Sequence, residues 1–312
     1  MTTAKTNPSP NVPKQNWNGW LVLDKPLGMS SAQAVGAVKR LLRPKKIGHG
    51  GTLDPLASGI LPLALGEATK AFQYVAANEK AYRFTVRWGE SRTTDDAEGD
   101  VVERSDARPT QEQIEAALPD FIGEIMQAPP DFSAIKVAGQ RAYAKARAGE
   151  AVALPPRPVM VHSLILLNCP DGDHAEFEMR CGKGTYVRSI ARDLGRSLGC
   201  FGYVSALRRT EVGKFDEACA ISLEKLEELV HSAALNEQLL PISSVLDDIP
   251  AVELDASAAH RLTCGNPVML PPASFTAFDA EPVTVQVLSR GQFLAIGEAF
   301  GGEVRPVRVF HV

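Results

Sequence analysis

The spacing of apolar residues changes several times along the chain, and each change predicts an element. GWLVLDKP (19–26) is a continuous apolar run ended by Pro26, the pattern of a short buried strand. SSAQAVGAVKRLLRP (30–44) sets Ala34, Val35, Val38, Leu41 and Leu42 at helical spacing, with Ser30 or Ser31 as cap and Pro44 as stop. GHGGTLDPLASGILP (48–62) breaks both periods with glycine and proline and reads as a loop. EATKAFQYVAA (67–77) predicts a helix, and AYRFTVRW (81–88) alternates like a strand with one buried face. SRTTDDAEG (91–99) is a polar turn-rich loop, and TQEQIEAAL (110–118) places Thr110 and Gln113 in capping-box spacing at a helix start.

Residues 127–158 differ from their surroundings, with prolines at both ends and basic and aromatic residues between them. They predict a projecting insert with a short helix, ordered on binding a partner. Strands at 159–167 and 174–181, a helix over 185–198, a strand at 203–213 and an amphipathic helix at 222–230 follow. From about residue 250 onward short apolar segments such as VTVQVL and QFLAIGEA alternate with turn residues, predicting a small β-rich second domain. The first 16 residues are rich in Pro, Asn and Thr and predict a disordered tail without the apolar core of a secretory signal.

At 312 residues and 45% apolar content, one large core, or a main core and a small second one, is affordable. The net charge of −4 conceals a polarised distribution. Residues 180–214 carry eight positive and two negative side chains, a balance of +6, whereas residues 215–312 carry five and fourteen, a balance of −9. A second basic run, KRLLRPKK, occupies 39–46. The five cysteines form no CxxC and no Cys/His ligand spacing, which suits buried free thiols in a reducing cytoplasm. No apolar run approaches the roughly 20 residues of a membrane span.

Candidate chemistry begins at Asp54. Glycines before it and Pro55 after it fit a surface turn, the simplest alternative. They equally fit a loop that presents a lone carboxylate, walled by Leu53, Leu56, Ile60 and Leu63, as a nucleophile or general base. A single carboxylate does not suit glycoside hydrolysis or a metal site, and Asp95 and Asp96 sit in a polar loop where solvation is the default. It does suit a reaction that forms and releases one covalent bond without a cofactor. GKGTYVRSIARDLG (182–195) adds Tyr186 and Arg188 at a helix start; Arg188, among small and apolar neighbours, needs a carboxylate partner. His49 and Tyr82 have structural roles by default, and His49 has no nearby Ser or Cys to complete a triad. The basic runs beside these loops favour a phosphate backbone as partner.

Taken in order, LVLDKPLGMSS, KKIGHGGTLDPLASGILPLALGEATK, KAYRF, TTDDAEG, PPDFSAIKVAGQRAYAKAR, GTYVRSIARDLG and ALRRTEVGKF strongly resemble the TruB family of tRNA pseudouridine synthases. The resemblance runs from about Gly19 onward and implies isomerisation of the T-loop uridine at tRNA position 55. It implies an α+β fold with a mixed, mostly antiparallel central sheet and flanking helices, spanning 17–249, and a PUA-like module at 250–312. By the same resemblance Asp54, in its GxLDPxAxG setting, is the catalytic aspartate, and Tyr82 is the tyrosine on which the flipped uracil stacks. Tyr186 and Arg188 match the GTYxR pair, Leu207 lines the uracil pocket, and His49 contacts the rearranged T-loop. Asp96 pairs with the arginine, Lys25 is a further supporting residue, and the insert clamps RNA. Gly50 departs from the threonine that many relatives carry. No cofactor or metal, no membrane and no obligatory protein partner is implied; the partner is the tRNA T-arm. A tRNA-folding factor that needs no chemistry would use the same basic surfaces and stands as the alternative, ahead of a small-molecule nucleosidase.

Overall fold

The computed structural model describes residues 15–77, 79–133, 136–137, 140–141, 154–232, 234–270 and 281–311. The predicted N-terminal tail up to residue 14 and the short helix predicted in the insert lie outside the described residues. Strand β1 (Gly19–Lys25) is followed by helix α1 (Ser31–Leu42), β2 (Ile47–His49), β3 (Ala57–Leu65) and α2 (Phe72–Ala77). Next come β4 (Lys80–Trp88), the hairpin β5 (Glu90–Arg92) and β6 (Val101–Arg104), α3 (Gln111–Ala117) and β7 (Gly123–Gln127). Two short strands, β8 (Lys136–Val137) and β9 (Gln140–Arg141), pair within the insert. The long hairpin β10 (Arg157–Asp171) and β11 (His174–Cys181) leads to α4 (Val187–Ser197) and β12 (Gly202–Val212). Helices α5 (Leu223–Leu229) and α6 (Ala234–Glu237) and strand β13 (Leu239–Leu240) complete this unit.

Its sheet has the order β13-β1-β3-β12-β4-β11-β10-β7, with β2 also paired to β3. Every pairing is antiparallel except β12 with β3, so the mixed, mostly antiparallel sheet expected of this chain is present. Alternation divides the side chains of β3 between two cores. Leu61, Leu63 and Leu65 join α1 and α4 on one face, while Ile60 and Ala64 pack with Trp20 and Phe215 on the other. Ile60 is therefore on the opposite face from Leu53 and Leu56 and is not a wall of the Asp54 loop.

Strand β3 corrects the expectation of a continuous loop through residue 62. Its proline and glycine are tolerated because the partner on one edge changes along the strand: β12 pairs with Ala57–Gly59 and β2 with Leu63–Leu65, leaving Pro62 between them. Gly59 has a φ of +99°, and a Cβ there would lie 2.1 Å from the carbonyl oxygen of Arg209. Gly59→Ala should therefore destabilise the protein by about 1–3 kcal/mol, measured by chemical denaturation. Unchanged stability would mean that β3 and β12 separate freely at this point.

Several local signals act as the sequence implies. Ser30 caps α1 in a capping box with Gln33, Arg43 ends it in the left-handed conformation, and Thr110 caps α3 in the same way as Ser30 caps α1. The helix predicted at 67–77 is instead a 3-10 segment over Gly66–Ala71 that runs into α2.

The C-terminal unit has a second sheet, ordered β14-β16-β17-β18-β15, from β14 (Ala251–Glu253), β15 (Val268–Met269), β16 (Val283–Ser289), β17 (Gln292–Phe300) and β18 (Glu303–Val309). Helix α7 (Ala256–Thr263), capped by Asp255, packs on this sheet and is an addition to the strands expected there. The unit is docked on the main sheet, since Ile296 and Phe310 share a cluster with Trp20, and Lys70 donates to the Val309 carbonyl.

Of the five free cysteines only Cys181 and Cys200 are buried; Cys264 is exposed, so the expectation of uniformly buried thiols is corrected. Among the described residues no helix is long and apolar enough to cross a membrane.

Candidate active site

The loop between β2 and β3 is held from several sides. The Ser31 hydroxyl donates to the Leu53 carbonyl at 2.9 Å and accepts from the Leu53 N–H at 2.8 Å, so Ser31 is the loop's anchor and Ser30 the helix cap. Gly28 N–H donates to the Pro55 carbonyl, and Ala57 N–H to the Asp54 carbonyl, closing the turn around Asp54. From β12, Arg209 donates through Nε to Ile60 O at 2.8 Å and through Nη2 to Gly51 O at 3.2 Å. Gly51 has a φ of +94°, and a Cβ there would meet the Arg209 guanidinium at 3.3 Å. At Gly50 a Cβ would lie 2.5 Å from Val75 Cγ1, so the absence of a threonine matches the local packing of this chain.

Arg188, in the first turn of α4 and only 5% exposed, supplies the partner that Asp54 lacks within its own stretch. Its Nη2 lies 2.8 Å from Asp54 Oδ2, and its Nε 3.6 Å from Asp96 Oδ2. It also donates to the Thr94 carbonyl at 2.9 Å and the Phe132 carbonyl at 3.0 Å. The need of this arginine for a carboxylate is thus met twice. Asp54 itself is neither unpaired nor dry: its side chain is 36% exposed at the mouth of the cleft. The expectation of a water-sheltered, solitary acid is corrected, because Leu53 and Leu56 face the core and only the turn reaches the cleft.

The Asp95–Asp96 pair is not solvated either. Asp96 is buried, and that burial pushes its carboxyl up, opposed by the Thr94 hydroxyl and Arg188. Burial likewise pushes Asp95 up to about 6 against the pull of Arg192, 3.0 Å away.

A cleft of about 270 Å³ gathers Asp54, Tyr82, Tyr186, Arg188 and Leu207. Tyr82, 8% exposed, comes from β4, and Leu207 from the adjacent β12. Burial raises the Tyr82 phenol above its ordinary value, with Arg209 opposing, so it is a neutral hydroxyl at pH 7. The Tyr186 backbone is clamped at both ends by buried Gln127, which donates to its carbonyl at 3.1 Å and accepts from its N–H at 2.8 Å. Asp96 reaches the cleft through Arg188 and lines an adjoining one with Thr94 and Phe132. His49 is half-buried on β2, outside both linings, and burial lowers its pKa so that it is neutral at pH 7.

A larger cavity of about 600 Å³, with Leu27, Leu56, Phe84 and Phe177 in its wall, shares Leu207 with the cleft but contains none of Asp54, Tyr82 and Arg188. Its wall also carries Arg83, Glu98, Glu176 and Arg208, of which Arg83 pairs with Glu178 and Arg208 with Asp24 and Glu217.

Lys25 is fully buried at the end of β1 and donates to the Met29 carbonyl at 2.6 Å and the Pro26 carbonyl at 2.9 Å. Burial lowers its pKa from 10.5 to about 8, with Asp54 opposing and Arg209 adding to the fall. Because the unfolded chain then binds the proton more tightly, Lys25 makes stability rise with pH between about 8 and 10.5 and weakens it below. Lys25→Met should flatten this rise, measured as the difference between variant and wild-type denaturation curves at pH 7.5 and 9. An identical slope in both would show that Lys25 is not the titrating group.

Among the lining residues that pattern reading left unassigned are Lys80, Arg209 and Ser133. The first two were within reach, since strand alternation puts Lys80 on the face of Tyr82 and Arg209 on the face of Leu207. Burial lowers the Lys80 pKa to about 8, with Arg209 adding to the effect. Ser133, at the root of the insert, carries no periodic signal.

Internal pairing consumes much of the basic excess of residues 180–214. Arg180 pairs with Glu211, Arg192 with Asp95 and Asp193, and Arg208 with Asp24 and Glu217, while Arg188 and Arg209 are buried. In contrast Lys39, Arg40, Lys45 and Lys46 are exposed and make no ion pair among the described residues. No cluster of three or more His, Cys, Asp or Glu side chains suited to a metal ion occurs among the described residues.

Comparison with known proteins identifies the family. Three family models match in succession: TruB family pseudouridylate synthase (N terminal domain) over 39–187, tRNA pseudouridylate synthase B C-terminal domain over 188–247, and Pseudouridine synthase II TruB, C-terminal, over 250–310. The tRNA pseudouridine synthase B of Nitrobacter winogradskyi is 51% identical, covering 98% of this chain and 86% of its own. That of Agrobacterium fabrum is 50% identical, covering 94% of each. Among solved structures, a chain of a Cbf5-Nop10-Gar1 complex matches with a TM-score of 0.72 at 26% identity, covering 94% of this chain and 85% of the other. The chain belongs to the TruB family of tRNA pseudouridine synthases, which are isomerases.

Proposed function

We propose that the enzyme converts the T-loop uridine at tRNA position 55 to pseudouridine, with Asp54 as the catalytic residue. The observation that carries this is the Asp54–Arg188 contact of 2.8 Å at the mouth of a cleft also lined by Tyr82 and Leu207. A fork of guanidinium donors, itself held by two backbone carbonyls, keeps the carboxylate aimed at one place.

Extruding the uridine costs a few kcal/mol of stacking, and stacking on Tyr82 returns about 1–3 kcal/mol. Asp54 then assists cleavage of the N1–C1′ bond, by attack or by stabilising the charge that develops. The uracil turns, C5 bonds to C1′, and the proton displaced from C5 leaves as N1 gains one. The reaction is an isomerisation with no net redox change or hydrolysis, so it needs no cofactor. Leu207 and Tyr82 confine the detached base, and RNA seated over the open mouth excludes water.

Phosphate contacts fall to the unpaired cations at 39–46 and to the insert at 127–158, with the T-arm as their target, in place of a broad surface over 180–214. His49, outside the cleft, contacts the surrounding loop nucleotides in this reading. The unit at 17–249 carries the chemistry, and the acidic segment at 250–312 adds a PUA-like RNA-binding module.

Incubating the purified protein with unmodified tRNA and mapping pseudouridine by nucleotide position tests this. Product at the T-loop uridine alone is the expected result; product elsewhere, or release of free uracil, would contradict it.

A further inference from the structure

Phe132 and Ser133 stand where the chain enters the insert. The same nitrogen of Arg188 that touches Asp54 at 2.8 Å donates to the Phe132 carbonyl at 3.0 Å, so one group ties the acid to the root of the insert. Ser133, the next residue, lines the cleft with Asp54, Tyr82 and Leu207. It is 3% exposed, and its hydroxyl is buried with no hydrogen-bond partner among the described residues. Other buried serines in this protein are satisfied: Ser31 exchanges two hydrogen bonds with Leu53, and Ser189 donates to the Ala128 carbonyl. A buried hydroxyl left open beside a catalytic acid is unfavourable in the free protein and is explained by a partner that arrives later.

We propose that Ser133 is a substrate-contacting residue whose hydroxyl donates to a ring carbonyl of the flipped uracil. This rests on the function proposed above. A phosphate would be drawn to the buried cations Lys80 and Arg209, whereas a neutral hydroxyl in the same lining as Tyr82 and Leu207 suits a neutral carbonyl. The contact also fits the isomerisation. A half turn of uracil about its C6–N3 axis exchanges N1 with C5 and O2 with O4. A donor that faces one carbonyl in uridine therefore faces the other in pseudouridine. Ser133 holds the base before and after the turn, and the link through Phe132 and Arg188 couples this hold to the position of Asp54.

The test compares Ser133→Ala with the wild-type enzyme on two substrates: tRNA, and the same tRNA with an abasic site at the target nucleotide. The variant is expected to lose about tenfold in kcat/KM on tRNA, the equivalent of one hydrogen bond. It should bind the abasic tRNA as the wild type does, and its melting temperature should be equal or higher, because the hydroxyl has no partner to lose. Wild-type kcat/KM in the variant would overturn the inference. So would equal weakening on the abasic tRNA, or a lowered melting temperature, either of which marks a structural hydroxyl. If the wild-type enzyme itself makes no pseudouridine, the functional reading fails and takes this inference with it; if the wild type is active and the variant matches it, only the role of Ser133 is lost.

Discussion

Asp54→Asn is expected to lower the single-turnover rate of pseudouridine formation on the order of 10⁴-fold while tRNA affinity changes less than about threefold. The substitution is nearly isosteric and keeps a hydrogen-bond acceptor within reach of Arg188, which retains Asp96 and the carbonyls of Thr94 and Phe132. The fold should therefore survive with at most about 1 kcal/mol lost, since Asp54 is partly exposed. Under the proposed mechanism the variant should lose the ability to attack C1′ or to offset its positive charge. The same variant separates catalysis from an RNA-folding role. If cells carrying it lose pseudouridine but keep every benefit of the wild-type protein, the benefit comes from binding.

Arg188 should show the second large effect, and on two readouts at once. Arg188→Met leaves Asp96 buried without its cation and strips donors from two carbonyls; removing one member of a buried pair destabilises by about 3–5 kcal/mol. That is a large part of the stability of an ordinary domain, so a sharply lowered denaturation midpoint is expected. Arg188→Lys is the more informative change. Its charge remains, but one ammonium group does not span Asp54, Asp96, Thr94 and Phe132 as a planar fork does. The lysine variant should stay folded and lose on the order of 10²-fold in kcat through misplacement of Asp54. Wild-type turnover in that variant would show that the fork does not position the acid.

How far the sequence reached depended on whether the governing interaction was local. Ser30 with Gln33 and Thr110 with Gln113 are caps written within four residues, and both helices begin where those pairs put them. Strand β4 is evident from alternation alone. Strand β3 was not, because its glycine and proline act as breakers until the change of partner along its edge is known. The burial of Asp95 and Asp96 was hidden for the same reason: a polar loop looks solvated unless two arginines from α4 are seen to fold over it. The charge count of residues 180–214 overstated the basic surface, since carboxylates outside the segment neutralise part of it, Asp24 and Asp95 from distant stretches and Glu217 from just beyond its end. Family resemblance supplied Asp54, Tyr82 and Leu207 together, which no period or spacing joins. Ser133 lay beyond both kinds of reasoning, for an unsatisfied hydroxyl is a property of packing.

The most direct test is a crystal structure of the Asp54→Asn variant with a tRNA T-arm stem-loop. The account places the target base stacked on Tyr82 beside Leu207, with its C1′ within about 3–3.5 Å of the side chain at position 54. A target uridine still stacked within its own loop, or extruded into the larger cavity beyond Leu207, would contradict it.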